Sequence, residues 1–186
     1  MLQPKSLKPL HTIIANKKRK FKYSVIICAF NAEKYIENCC ISVILQLSAC
    51  DELILINDGS TDNTLNIIND IAIKKRDINL KVIDNQKNLG LAQSRNIGWR
   101  CAANEIVIYF DADTIIPADT LDLIDNRFSN NLALSALTGQ SIEKNIISKY
   151  DLFRKLFLAQ TQGKKEIYSP QFLSGLCMAI KKETLL

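Results

Sequence analysis

Histidine and tryptophan are scarce here: the 186-residue chain holds one of each, with only four prolines and six glycines. The single histidine, His11, lies outside every periodic segment and reads as a residue of the amino-terminal tail, not as a catalytic group. The cysteines, Cys28, Cys39, Cys40, Cys50, Cys101 and Cys177, include no Cys-x-x-Cys pair. That spacing argues against a zinc site or a disulfide framework, and the thiols are expected in the core of a reduced protein. No apolar stretch approaches the roughly 18 residues of a membrane span, and no signal peptide is visible, so the expected location is the cytoplasm. Internal repeats and low-complexity segments are absent too. No basic stripe with stacking aromatics runs through the main body of the chain, which argues against nucleic acid as a partner.

What is present suits one domain with a sizeable core, since 47% of the residues are hydrophobic. Charge is unevenly placed. Lys5, Lys8, Lys17, Lys18, Arg19, Lys20 and Lys22 carry +7 with no acid among them, leaving −2 for the rest against a chain total of +5. Residues 1–20 are therefore expected to form a flexible basic leader and 21–186 the folded domain. Such a leader suits solubilisation or peripheral contact with anionic lipid at the inner face of a membrane.

Apolar runs alternate with helical patterns. Strands are expected over 23–30, 51–57, 80–84, 105–110, 132–138 and 172–180, and helices over 32–47, 62–75, 90–103, 117–128 and 148–160. That alternation predicts an α/β fold with a mainly parallel sheet and helices on both faces. Residues 161–165, Thr-Gln-Gly-Lys-Lys, interrupt the pattern as a loop.

Chemistry-bearing residues gather where the expected strands end. Ile106-Val107-Ile108-Tyr109-Phe110 runs into Asp111-Ala112-Asp113. Two carboxylates there could seat Mg²⁺ or Mn²⁺, which take oxygen ligands and bind through one or two protein carboxylates plus substrate phosphates. Glu52-Leu53-Ile54-Leu55-Ile56 ends at Asn57-Asp58-Gly59-Ser60, where open α/β sheets bind ligands. Asp58 can accept a hydrogen bond from a base imide N–H or a ribose hydroxyl. Ser60, Thr61 or Asp62 can cap the next helix. Arg95, in the first turns of the third helix, could lie over a base or a diphosphate as a planar donor fork.

The blocks SVIICAFNAEKYI, ELILINDGSTDNT, NLGLAQSRNIGW and IVIYFDADTIIP resemble, in order and spacing, the amino-terminal half of family 2 glycosyltransferases with the GT-A fold. The resemblance is strong over 21–136, and 172–182 looks like the family's later strand. It implies a Rossmann-like, mainly parallel sheet and transfer of a sugar, with inversion, from a UDP-linked or other nucleotide diphosphate donor to a saccharide or lipid-linked acceptor, as in polysaccharide biosynthesis. Carried over, it has Ala29, Phe30, Asn31 and Glu33 lining the nucleoside pocket, Asp58 and Arg95 recognising the base, Asp111 facing ribose or metal, and Asp113 binding Mn²⁺ or Mg²⁺ directly.

Two departures stand out. Many relatives have Pro where this chain has Cys28. The family's acidic general base, often in a Glu-Asp pair beyond the segment matching 172–182, has no counterpart before Leu186, and Glu183 lies in the linker after that strand. The domain is therefore expected to be truncated at its carboxyl end and to bind donor better than it turns it over. The alternatives are a nucleotide-sugar-binding module or partner subunit without turnover, and a nucleotidyltransferase. The last would need a glycine-rich phosphate loop, and Cys28 to Lys34 contains no glycine.

Overall fold

The computed structural model describes residues 18–139 and 177–185. Six strands and four helices follow one another as β1 (Tyr23–Ala29), α1 (Ile36–Ile44), β2 (Glu52–Asn57), α2 (Thr64–Lys74), β3 (Leu80–Asp84), α3 (Leu91–Cys101), β4 (Ile106–Asp111), α4 (Thr120–Asn130), β5 (Ala136–Thr138) and β6 (Cys177–Lys181). The sheet order is β3-β2-β1-β4-β6-β5. β1 is parallel to β2 and β4, and β2 to β3. β6 runs antiparallel between β4 and β5. The expected helix 148–160, the loop 161–165 and the start of the strand 172–180 lie outside the described residues.

The central strands are apolar on both faces because helices cover both. Successive side chains point to opposite sides, and the two clusters divide accordingly. Val25, Ile27, Leu53, Leu55, Ile106, Ile108 and Phe110 pack with Ile36, Cys40, Val43 and Ile44 of α1, Ile68 of α2, and Leu121 and Phe128 of α4. Ile26, Ile54, Ile56, Val107, Tyr109 and Ile180 form the other face, under Trp99 and Ala102 at the end of α3. α3 sits close to the sheet at Gly98, where an added Cβ would lie 2.7 Å from Ile26 Cγ2.

Several boundaries move. α1 starts at Ile36, not 32, because Asn31 takes a left-handed φ of 49° and a turn follows. The strand expected from 132 begins at Ala136, because a turn closes by Leu134 N–H donating to Asn131 O at 3.1 Å. Cys39 and Cys40 are buried and Cys28 and Cys177 half-buried, but Cys50 and Cys101 are exposed at element ends, against the expectation of core thiols.

Arg19 and Lys20, at the end of the basic leader, make contacts with the body of the domain. Arg19 Nη1 pairs with Asp51 Oδ2 at 3.0 Å, its Nε with Asp122 Oδ1 at 2.8 Å, and its Nη2 donates to Gln46 O at 2.6 Å. Asp51 further accepts from Tyr23 N–H at 2.9 Å and Ser48 N–H at 2.8 Å. The backbone N–H groups of Lys20 and Phe21 both donate to Asp125 at 3.1 Å, as does the Tyr23 hydroxyl at 2.6 Å. Burial, then the Asp125 hydrogen bond, push the Tyr23 phenol well above its ordinary range. No helix among the described residues is long and apolar enough to cross a membrane.

Asp51 is fully buried, so removing its cation leaves an uncompensated charge. Arg19→Ala is expected to cost about 3 kcal/mol, within the range for breaking a buried pair. Urea denaturation checks this; a loss under about 0.5 kcal/mol, typical of a surface substitution, would show the network to be incidental.

Candidate functional site

Parallel pairing brings the carboxyl ends of four strands to one level. Ala29 pairs with Asn57, Asn57 with Asp84, and Cys28 with Asp111. Polar residues the core excludes thus appear together along one rim, as at the ligand crevice of open α/β sheets. A cavity of about 180 Å³ opens there, lined by Cys28, Ala29, Phe30, Asp58, Asn88, Gly90 and Leu91. It unites three of the residues expected to line a nucleoside pocket or read its base, Ala29, Phe30 and Asp58. Phe30 presents an exposed ring, 48% accessible.

Asp58 is the hub of this rim and is only 3% exposed. Its Oδ1 accepts from Asn85 Nδ2 and Leu89 N–H, both at 2.9 Å, and its Oδ2 from Gly90 N–H at 3.0 Å. Asn85 Nδ2 also reaches Ser94 Oγ at 2.8 Å. Burial alone would raise the Asp58 pKa, but the donors from Asn85, Leu89, Ser94 and Gly90 outweigh it and hold the carboxyl below the usual range. The loop 85–90 is therefore folded around a carboxylate. Gly59, at φ +69°, lets this loop approach, because a Cβ there would stand 2.3 Å from the Lys87 carbonyl carbon.

Asn31 and Glu33 are not among the cavity's lining residues. Asn31 Oδ1 accepts from Thr61 N–H at 2.8 Å and Glu33 Oε2 from Asn63 N–H at 3.0 Å. In return Asn31 N–H donates to Ser60 Oγ at 3.0 Å, and Glu33 N–H to Asp62 Oδ2 at 3.1 Å. These contacts lock the loop after β1 to the loop after β2. None of the three capping candidates is the N-cap of α2, which is Asn63 without a side-chain cap, although Asp62 Oδ1, one residue earlier, accepts from Thr64 N–H at 3.0 Å.

Arg95 and Asp111 meet across the gap between α3 and β4. Nη2 of Arg95 lies 2.8 Å from Asp111 Oδ1, and the guanidinium sits 5.6 Å from the centroid of the Tyr109 ring. Burial raises the Asp111 pKa; Arg95 opposes this, and Asp113 adds to it by repulsion. Asp113 is exposed on the turn closed by Thr114 N–H and Oγ1 donating to Asp111 O at 3.1 and 2.7 Å. Among the described residues, no group of three or more His, Cys, Asp or Glu side chains could hold a metal ion. Asp111 and Asp113 are not among the cavity's lining residues, but two neighbouring carboxylates supply the oxygen donors that Mg²⁺ or Mn²⁺ takes when phosphates and water complete its shell.

Asn85, Asn88 and Leu91 were not singled out from sequence, although Asp84-Asn85 after β3 repeats the polar ending Asn57-Asp58 after β2. Glu183 lies in a short 3₁₀ turn, Lys182–Leu185, at the opposite pole, because β6 is antiparallel and Lys182 N–H donates to Glu105 O at 2.8 Å.

The sheet order and the crevice at its rim define an α/β domain of the GT-A type. The family model for glycosyl transferase family 2 matches residues 24–185, and the chain belongs to that family. A glycosyltransferase of Haemophilus influenzae is 40% identical over 114 residues, covering 61% of this chain and 35% of the relative. The mannosyltransferase PcManGT of Pyrobaculum calidifontis, solved with GDP-Man and Mn²⁺, superposes with a TM-score of 0.69 at 23% identity over 89% of this chain and 46% of that one. TarS of S. aureus, solved with UDP-GlcNAc, gives 0.66 at 24% identity over 88% and 46%. The chain thus spans about a third of the H. influenzae relative's length.

Asp58→Asn should cost about 1–3 kcal/mol at pH 7 by breaking the donor set around the carboxylate. Because the folded pKa of Asp58 is depressed, its contribution is present above the unfolded value of about 3.9 and is lost as pH falls through the lower folded value. The gap between the urea midpoints of parent and variant should therefore shrink as pH falls below about 4. A gap that stays constant to pH 3 would contradict the assignment.

Proposed function

We propose that the chain carries the donor site of an inverting glycosyltransferase, binding a UDP-sugar together with Mn²⁺ or Mg²⁺ and passing the sugar to a saccharide or lipid-linked acceptor. The observation that carries this reading is the cavity in which Asp58 stands beside Ala29 and Phe30 at the strand ends. Asp58 is held by donors from Asn85, Leu89, Ser94 and Gly90. Ionised, this carboxylate can only accept, which is what a uracil imide N–H requires of its partner. Adenine has no imide donor, and cytosine has an acceptor at the equivalent ring nitrogen. Phe30 supplies an exposed ring against which a base can stack.

Asp113 would hold the cation and Asp111 the ribose or the cation, with Arg95 close to base or diphosphate. The chemistry the cation supplies when bound is neutralisation of charge on the departing diphosphate. Asn31 and Glu33, by locking two loops, keep Phe30 and Asp58 in register. Family membership and the Mn²⁺ and UDP-GlcNAc complexes of the two structural neighbours support this reading. The basic residues Lys5, Lys8, Lys17, Lys18, Lys20 and Lys22 suit peripheral contact with anionic lipid, Arg19 being held by Asp51 and Asp122.

Calorimetry should show UDP binding more tightly than ADP or CDP by roughly 1–3 kcal/mol, with Asp58→Ala erasing the preference. Equal affinities in the parent protein would refute base reading by Asp58. UDP binding should also weaken when the cation is chelated, and Asp113→Ala should mimic the chelator. A directly bound carboxylate is worth at least the roughly 10–100-fold that outer-shell groups contribute to metal affinity. Affinity indifferent to both changes would remove Asp113 from the metal.

A further inference from the structure

We infer that Arg95 is a built-in counter-ion that reserves Asp111, so that the protein without nucleotide offers a divalent cation one carboxylate, Asp113, and binds it firmly only with the diphosphate. The inference rests on the donor-site reading above and adds an order of binding to it.

Three observations carry it. Arg95 Nη2 is 2.8 Å from Asp111 Oδ1, and the two side chains are 20% and 24% exposed, so solvent screens the pair only in part. The guanidinium also rests on Tyr109, 5.6 Å from the ring centroid, which ties its position to β4 itself. Asp113 is close enough to act on Asp111 by repulsion, so the two carboxylates and the guanidinium share one field.

A divalent cation approaching this cluster meets a net charge near −1 instead of −2, and one of its two candidate ligands is already hydrogen-bonded. Mg²⁺ and Mn²⁺ bound to so few protein oxygens depend on phosphate oxygens for the rest of their shell. Diphosphate restores the missing negative charge and offers the guanidinium an anion of the ligand beside Asp111. Linkage then requires each ligand to tighten the other by the same factor. The arrangement keeps the crevice from filling with cation alone.

The test is Mn²⁺ binding to the full chain at pH 8, read from loss of the free-ion electron paramagnetic resonance signal, with and without UDP. The parent should bind Mn²⁺ weakly alone and much more tightly with UDP. Arg95→Gln should bind Mn²⁺ alone about tenfold more tightly, because a nearby positive charge is gone and Asp111 is released. Arg95→Met, which retains an apolar contact for Tyr109, should behave likewise and serves if the glutamine variant folds poorly. Arg95→Lys should stay near the parent because the charge persists, and Asp111→Asn added to Arg95→Gln should abolish the gain. If Mn²⁺ alone binds Arg95→Gln and Arg95→Met no better than the parent while UDP still promotes Mn²⁺ binding to the parent, the counter-ion role fails and the donor site stands. If no form binds Mn²⁺ with or without UDP, both fall.

Discussion

Parallel strands buried on both faces can show polar side chains only at their ends, and the rest of this structure depends on that constraint. Between Val25 and Ala29, Leu53 and Ile56, and Ile106 and Phe110, nearly every side chain is packed beneath a helix on one side or the other. Register then fixes which polar groups become neighbours. Pairing Ala29 with Asn57 and Cys28 with Asp111 sets Asp58 and Asp111 on either side of β1, so a ligand lying over β1 meets both.

The two poles of the sheet use their polar groups in opposite ways. At the amino end, Arg19, Asp51 and Asp125 are met by donors and acceptors from within the chain, and the network closes on itself. Glu52 belongs there as well: it pairs with Lys81 at 2.7 Å and accepts from Ser24 and Ala103, and these contacts outweigh the burial that would otherwise raise its pKa. Such a network specifies the fold without inviting a ligand. At the carboxyl end the accounts stay open. Asp58 lines the cavity as an ionised acceptor, Asp113 is exposed, and Phe30 and Leu91 add exposed apolar side chains to the cavity lining.

Much of the fold was legible because the apolar runs of β1, β2 and β4 are continuous and polar residues stop them sharply. The GT-A type and the family followed from blocks whose strand ends the parallel pairing gathers on one rim. What escaped the sequence depends on contacts between distant residues. Arg19 looks like one cation in a basic tail until Asp51 and Asp122, 32 and 103 residues away, are seen around it. The Arg95–Asp111 pair spans 16 residues and links the end of β4 to α3, a helix that packs on β1 and β2. Asn31 and Glu33 were legible as residues near the site, but sequence gives no means of telling a side chain that touches a ligand from one that ties two loops together. Asn85 was missed because an asparagine after a strand is ordinary turn chemistry, and its importance comes only from the carboxylate it faces.

Gly98 sits three residues after Arg95, one turn along the same helix, and rests against Ile26 with no room for a side-chain carbon. Its missing methyl group sets the height of α3 above the sheet, and with it the reach of the Arg95 guanidinium. A core packing contact therefore acts as a shim under the charged part of the rim. Small residues along this seam would tune the elevation of Arg95 over the crevice without touching any ligand, a route by which binding at such a site could drift while every polar residue in it stayed the same.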